Sequence, residues 1–150
     1  EFSVVAKKGL RVPKVDFINQ VPDDKNAFRV VHASNSLQYT SDPLTHLRKL
    51  INASGQWLFL EKLIITNRTQ EVIFRQVSKK SEHLPGRFVA KQFEDGWVSY
   101  EVTCSPFGEV QSALSEKFEI VEMRIREPEL NMVLGKGLMM LDLALLSRES

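Results

Sequence analysis

Residues 28–66 read FRVVHASNSLQYTSDPLTHLRKLINASGQWLFLEKLIIT, and the order of patterns in this stretch decides the fold. Phe28–Ser34 is short and centred on Val30 and Val31, the composition of a buried strand. Ser41-Asp42-Pro43 is a helix start. Asp42 can accept from free backbone N–H groups, and Pro43 fits the first helical position, where no N–H is needed. Leu44, Leu47, Leu50 and Ile51 follow at helical spacing, with Arg48 and Lys49 off that stripe. Asn52 to Gly55 closes the helix, with Gly55 as the expected left-handed residue. Trp57–Thr66 is nearly all apolar and too short and β-rich for a helix. It reads as a strand buried on both faces, interrupted only by Glu61-Lys62. Strand, helix, strand in that order predicts a parallel pair joined by a right-handed crossover.

Working outward, Phe2–Ala6 and Val15–Asn19 read as short strands, the second closed by Pro22-Asp23-Asp24. Residues 67–103 differ in character. They are polar, lack a helical period and carry the turn signals Pro85-Gly86 and Asp95-Gly96, with short strands expected at Val72–Phe74 and Trp97–Val102. This segment reads as an insertion or lid on a single domain spanning residues 1–150. Ser105-Pro106 repeats the cap-plus-proline signal, and Phe107, Val110, Ala113 and Leu114 form the stripe of a second helix. Phe118–Arg126 alternates as a half-buried strand. Leu138–Leu146 fits either period, and its length and the flanking Gly135 and Gly137 favour a strand. The connection between these two is too short for a crossover, so they are expected to pair as an antiparallel hairpin.

Composition excludes several classes. The 150 residues carry 20 Lys and Arg against 19 Asp and Glu, so a net charge of +1 gives no electrostatic case for nucleic acid or an anionic membrane. Three histidines and one cysteine build no thiolate zinc site, and no metal is expected. Cys104 alone excludes an internal disulfide and points to a reducing, cytoplasmic location. No apolar run approaches the roughly 18–20 residues of a membrane span, and the N-terminus lacks the apolar core of a signal peptide.

The stretch from Arg29 to Pro43 resembles the fourth strand and following loop of class I S-adenosylmethionine-dependent methyltransferases, whose pattern there is of the type DvVhas.vLqyl.DP. The likeness is nearest to bacterial methyltransferases associated with surface-polysaccharide gene sets. It rests on Leu37-Gln38-Tyr39, Asp42-Pro43, the fifth-strand string Leu58-Phe59-Leu60-Glu61, and Val72-Ile-Phe-Arg-Gln76. It runs from about Val15 to Arg148 and includes the reversed strand pair at the C-terminus. The resemblance implies a Rossmann-like α/β sheet, mostly parallel with a C-terminal antiparallel pair. It implies S-adenosylmethionine as cofactor and a small hydroxylated substrate, a sugar among the candidates. One departure is plain. The superfamily opens with a strand and a glycine-rich loop, whereas Gly9 is the only glycine before Gly55, and Ala6 or Lys7 stands where an acidic ribose contact is usual. The N-terminal part of the fold is therefore expected to be missing or shortened.

Carried onto this sequence, the resemblance places Asn19 and Gln20 near the adenine amine, though the same pair serves as an exposed turn before Pro22. Ala33, Ser34, Asn35 and Leu37 leave the carboxyl end of the strand, where open parallel sheets bind ligands. A helix-leading turn uses Ser and Asn equally well as local hydrogen bonders. Gln38 and Tyr39 are candidates to orient substrate. Glu61 is a candidate base for a sugar hydroxyl, against a structural ion pair, and His83 is a second candidate base on the lid. Arg75, Arg87, Trp97 and Tyr100 suit a sugar or sugar phosphate, against a simple surface cluster. His32, inside an apolar strand, reads as a hydrogen-bonded core residue. The leading expectation is a methyltransferase acting on a small molecule. The competitor is a non-catalytic relative used as a binding or dimerisation module, since an exposed sheet edge favours homo-oligomers.

Overall fold

The computed structural model describes residues 16, 18–79, 96–126 and 137–148. The expected strand at Phe2–Ala6, the turn signals Pro85-Gly86 and Asp95, and the candidates His83 and Arg87 lie outside them. Of the expected strand at Val15–Asn19, Asp16, Ile18 and Asn19 are described and none is in a strand.

The chain runs β1 (Phe28–Ser34), a 3-10 turn (Leu37–Tyr39), α1 (Pro43–Ala53), β2 (Ser54–Thr66), β3 (Val72–Lys79), β4 (Trp97–Pro106), α2 (Phe107–Ser115), β5 (Phe118–Arg126) and β6 (Leu138–Ser147). β2 is the hub of a six-stranded sheet. Its first half pairs in parallel with β1, from Phe28 opposite Ser54 to Ser34 opposite Glu61. Its last two residues pair in parallel with Ser105 and Pro106 of β4. Along its other side runs antiparallel β6, which in turn carries antiparallel β5. β3 and β4 form an antiparallel hairpin. The sheet is thus mixed, not mostly parallel as expected. β6 returns between β2 and β5 because the β5–β6 connection is too short to cross the sheet.

Both helices cover one face. Leu44, Leu47 and Ile51 of α1 and Val110, Ala113 and Leu114 of α2 pack on Leu58, Leu60, Leu63 and Ile65 of β2 and on Leu141, Leu143 and Leu145 of β6. The inward residues of β2 change phase, from 58 and 60 to 63 and 65. Strict alternation would turn Leu63 away from the helices. A bulge at Glu61-Lys62 corrects this: Leu60 faces Leu143 while Leu63 faces Leu141, three steps against two. Lys62 takes a left-handed conformation, φ 52°, to make the extra step. On the opposite face Ile64, Val102, Cys104 and Met140 form a smaller cluster. Farther along that face the rings of Trp57 and Phe59 stack 5.8 Å apart.

Several local expectations need correction. Asp42 does cap α1, accepting from the Thr45 N–H at 2.9 Å. The helix end is different: α1 passes directly into β2 at Ser54, and Gly55 is a strand residue. A side chain at Gly55 would crowd the Phe28 carbonyl oxygen at 3.2 Å. At the helix end the Lys117 ammonium donates to the Ile51 and Asn52 carbonyls, at 3.0 and 3.4 Å, and the Asn26 N–H donates to the Asn52 carbonyl at 2.9 Å, in place of a left-handed cap. Ser105 is no cap for α2. It is the penultimate residue of β4, and its buried hydroxyl has no protein partner. β1 buries only Val31, because no strand pairs with its outer edge among the described residues. β5 is exposed from Glu119 to Ile125, not half-buried, because it is the last strand of the sheet and only Phe118 at its start joins the helix-facing core.

Candidate functional site

The site begins where β1 stops. Ser34 stands opposite Glu61, and that edge of β2 has no strand partner until β4 joins it at Ile65, while β6 pairs its other edge. The turn from Asn35 to Tyr39 fills that gap. Asn35 adopts φ 49°, which ends the strand, and its N–H donates to the Glu61 carbonyl at 2.9 Å. Gln38 lies inside the turn and is 1% exposed. Its amide nitrogen donates to Asn35 Oδ1 at 2.7 Å and to the Lys62 carbonyl at 3.3 Å, while its Oε1 has no protein partner. Thr40 closes the turn by donating to the Leu37 carbonyl at 2.8 Å.

Glu61 faces the side of the sheet away from the helices, with half of its side chain exposed. Ser34 Oγ donates to its Oε2 at 3.3 Å, and His32 Nε2 lies 3.5 Å from the same oxygen. Residues 32 and 34 share a face by strand alternation, so one carboxylate collects both. Next to Glu61 is a cavity of about 230 Å³ lined by Phe59, Glu61, Glu122, Arg124, Arg126 and Asp142. Asp142 holds its wall together, accepting from the Lys62 N–H at 2.9 Å and pairing with Arg126. Burial pushes the Asp142 carboxyl up. The Lys62 N–H and the hydrogen bond and charge of Arg126, with Arg124 beyond, outweigh this and hold it below its ordinary value.

On the other side of the turn, Tyr39 OH donates to Gln76 Oε1 at 3.1 Å and its ring meets Tyr100 edge-on at 6.0 Å. Burial raises the Tyr39 phenol pKa, Tyr100 adds to this, and hydrogen bonds with Gln38 and Gln76 oppose it, so the group stays protonated at neutral pH.

An exposed carboxylate flanked by an imidazole and a hydroxyl can take a proton from a bound hydroxyl group and hold it. The structure therefore brings together Ser34, Asn35, Gln38, Tyr39, Tyr100 and Glu61, and adds His32, Asp142, Arg124 and Arg126. Of the expected contacts, Gln38 and Leu37 are buried, so neither offers its side chain to a ligand, and Ala33 packs against the core. Arg75 and Trp97 occupy the opposite face of the β3–β4 hairpin from Gln76 and Tyr100, because alternation from Gln76 opposite Tyr100 turns them away. Trp97 stacks under the Lys79 ammonium there. His32, expected in the core, is on the open face and half-exposed. Asp142 had a visible signal, as the only charge within LMMLDLALL.

Asn19 and Gln20 lie elsewhere. They line a cavity of about 270 Å³ with Phe28, Val31, Leu50 and Ala53, toward the amino end of β1. A seven-residue strand rises about 20 Å from Phe28 to Ser34. The residues assigned to S-adenosylmethionine thus fall into two groups toward opposite ends of β1. No glycine cradle or acidic ribose contact joins them among the described residues. These residues do not fit a complete site for that cofactor.

The mixed six-stranded sheet, with both helices on one face and antiparallel β6 lying between β2 and β5, is an α/β fold. The chain shares this fold with an S-adenosylmethionine-dependent methyltransferase from Methanosarcina mazei, at a TM-score of 0.51 and 12% identity over 89% of this chain and 66% of that one. A second similar structure is an S-adenosylmethionine-dependent methyltransferase from Clostridium acetobutylicum, at a TM-score of 0.46 and 10% identity over 86% of this chain and 61% of that one. The chain thus spans just under two thirds of the length of these relatives. No family model and no curated protein sequence matches it. Among the described residues no helix is long and apolar enough to cross a membrane, and no group of three or more His, Cys, Asp or Glu could hold a metal ion.

Proposed function

We propose that this chain forms the acceptor-side part of an S-adenosylmethionine-dependent methyltransferase acting on a small hydroxylated molecule, a sugar among the candidates. The observation that carries the reading is the cluster of His32, Ser34 and Glu61 at the carboxyl end of β1, the ligand end of an open parallel sheet. S-adenosylmethionine supplies an activated methyl group and its own leaving group, so little is asked of side chains beyond alignment and deprotonation. Glu61 takes the proton of the acceptor hydroxyl. Ser34 and His32 position that carboxylate, and the Gln38-anchored turn sets its distance from the aromatic pair Tyr39 and Tyr100. Within residues 67–103 the β3–β4 hairpin serves as a lid, through the Tyr39–Gln76 hydrogen bond.

A non-catalytic relative is the second reading, favoured by the split between the two groups of cofactor candidates. A titration of the 15N-labelled chain with S-adenosylmethionine separates the two. The methyltransferase reading expects weak, millimolar binding with shifts at Ser34, Asn35 and Glu61. Absence of any shift at millimolar ligand, or shifts confined to Asn19, Gln20 and Phe28, would sink it.

A further inference from the structure

β5 ends the sheet, and its outer edge has no strand beside it among the described residues. It is nine residues long, and Val121, Met123 and Ile125 are 56%, 51% and 63% exposed. A strand of this length with a free ladder edge and exposed apolar side chains is a template for another strand. The sequence of the edge says which one.

In an antiparallel pair, directly opposed residues both turn their backbone groups toward the partner or both turn them away. A two-fold symmetric pairing of β5 with itself must therefore centre on a single residue. Centring on Glu122 opposes two glutamates, and centring on Arg124 opposes two arginines. Centring on Val121 sets Ile120 against Glu122 and Phe118 against Arg124. Centring on Met123 alone sets Glu122 against Arg124 twice and Met123 against itself; Val121, the residue at the β5 bulge between Ile120 and Glu122, then stands opposite Ile125, and Ile120 at the end of the pairing meets Arg126. Opposite charges and apolar pairs in direct register each favour association, and no like charges meet. Glu122 and Arg124 are already 3.3 Å apart along the strand, both well exposed, so each can exchange its neighbour for the copy across the axis.

We propose that β5 is a homodimerisation edge, and that two copies of this chain pair antiparallel through residues 121–125 about Met123 to make one continuous sheet. The partner is a second copy because the charge pattern of the strand is complementary to its own reverse. This does not depend on the methyltransferase reading. Glu122 and Arg124 also line the cavity beside Glu61, so the paired edge borders that site.

The test is charge inversion followed by sedimentation velocity over a micromolar concentration series. Wild type is expected to dimerise. E122R and R124E each turn both ion pairs into like-charge contacts, and each is expected to weaken the dimer by about tenfold or more. The double variant E122R/R124E restores opposite charges in the same register, and its dimer is expected within about threefold of wild type. A defect of folding would not be repaired this way. As a second measurement, M123C in the otherwise native chain is expected to form a covalent dimer under mild oxidation, since Cys104 is buried. A monomeric wild type at hundreds of micromolar would overturn the proposal. So would single variants that dimerise as wild type does, a double variant that stays monomeric while folded, or a folded M123C chain that does not cross-link.

Discussion

Replacing Asp142 should destabilise the fold through the β2 bulge, more than its surface position suggests. The bulge at Glu61-Lys62 takes the Lys62 N–H out of the β2–β6 ladder, and Asp142 Oδ1 receives it at 2.9 Å. Its other oxygen pairs with Arg126. Asp142→Ala removes both partners. An unmet backbone donor costs about 1–3 kcal/mol when fully buried, and Lys62 is half-buried, so water recovers part of this. The Arg126 pair is partly exposed and screened, and adds at most about 1 kcal/mol. The expected loss is about 2 kcal/mol, read as a lower urea midpoint at unchanged m-value. Asp142→Asn keeps an oxygen for Lys62 and loses the charge, so about 1 kcal/mol is expected. The pH dependence fixes the cause. The folded Asp142 carboxyl titrates below its ordinary 3.8. Its contribution is therefore complete above the unfolded pKa and is lost as pH falls through the folded one. The gap between wild type and Asp142→Asn should be full at neutral pH and shrink below about pH 4. An Asp142→Ala variant as stable as wild type would refute the role given to the bulge. A gap that persists unchanged in strong acid would refute the role given to the charge.

Two further outcomes are expected from the fold. Gly137 has φ +84°, its carbonyl accepts from the Asn67 N–H at 2.9 Å, and an added Cβ would collide with the Asn67 side chain. Gly137→Ala should cost about 1–2 kcal/mol in the same urea assay, and an unchanged midpoint would contradict that geometry. Cys104 is fully buried, and burial pushes its thiol up to about 11, so a thiol reagent should label the native chain at neutral pH only as fast as it unfolds. Complete labelling within minutes of a chain that is folded by circular dichroism would show that the smaller core cluster is open.

The local patterns that translated directly are those whose cause is also local. Asp42-Pro43 starts a helix because the cap and the missing N–H act within one turn, and the apolar string from Trp57 is a central strand in the structure as in the sequence. Where the outcome depends on neighbours, the patterns misled. Alternation in Phe118–Arg126 identifies a strand with two faces, but nothing in it says whether either face is covered. Val30 and Val31 look equally buried in sequence, yet β1 is an edge among the described residues and only Val31 is covered. The phase change from Leu58 and Leu60 to Leu63 and Ile65 is hidden in sequence, because every residue from 57 to 60 and from 63 to 65 is apolar and the string reads as a strand buried on both faces. The site itself was half legible. Ser34, Asn35 and Tyr39 sit between an identifiable strand and helix, and Glu61 interrupts the apolar strand that follows. Their partnerships, such as Ser34 with Glu61 across 27 residues, come from sheet register, which no local pattern contains.

The position of the site follows from how the irregularity is absorbed. Three non-glycine residues have positive φ among the described residues, and two of them, Asn35 and Lys62, meet at this point. Such conformations persist only where surrounding bonds enforce them. Here those bonds can be followed one by one. The Asn35 N–H goes to the Glu61 carbonyl, the Lys62 carbonyl takes the Gln38 amide, and the Lys62 N–H goes to Asp142. Three long-range contacts thus pin a strand end against a strand bulge. The backbone of Glu61 is committed to the fold while its carboxylate is left facing out between His32 and Ser34. A regular β2 would bring Leu63 out of the core and leave the turn without the Lys62 carbonyl that anchors Gln38. The bulge that keeps the helix-facing core in phase is therefore the same feature that presents the carboxylate, and a change that removes one should remove the other.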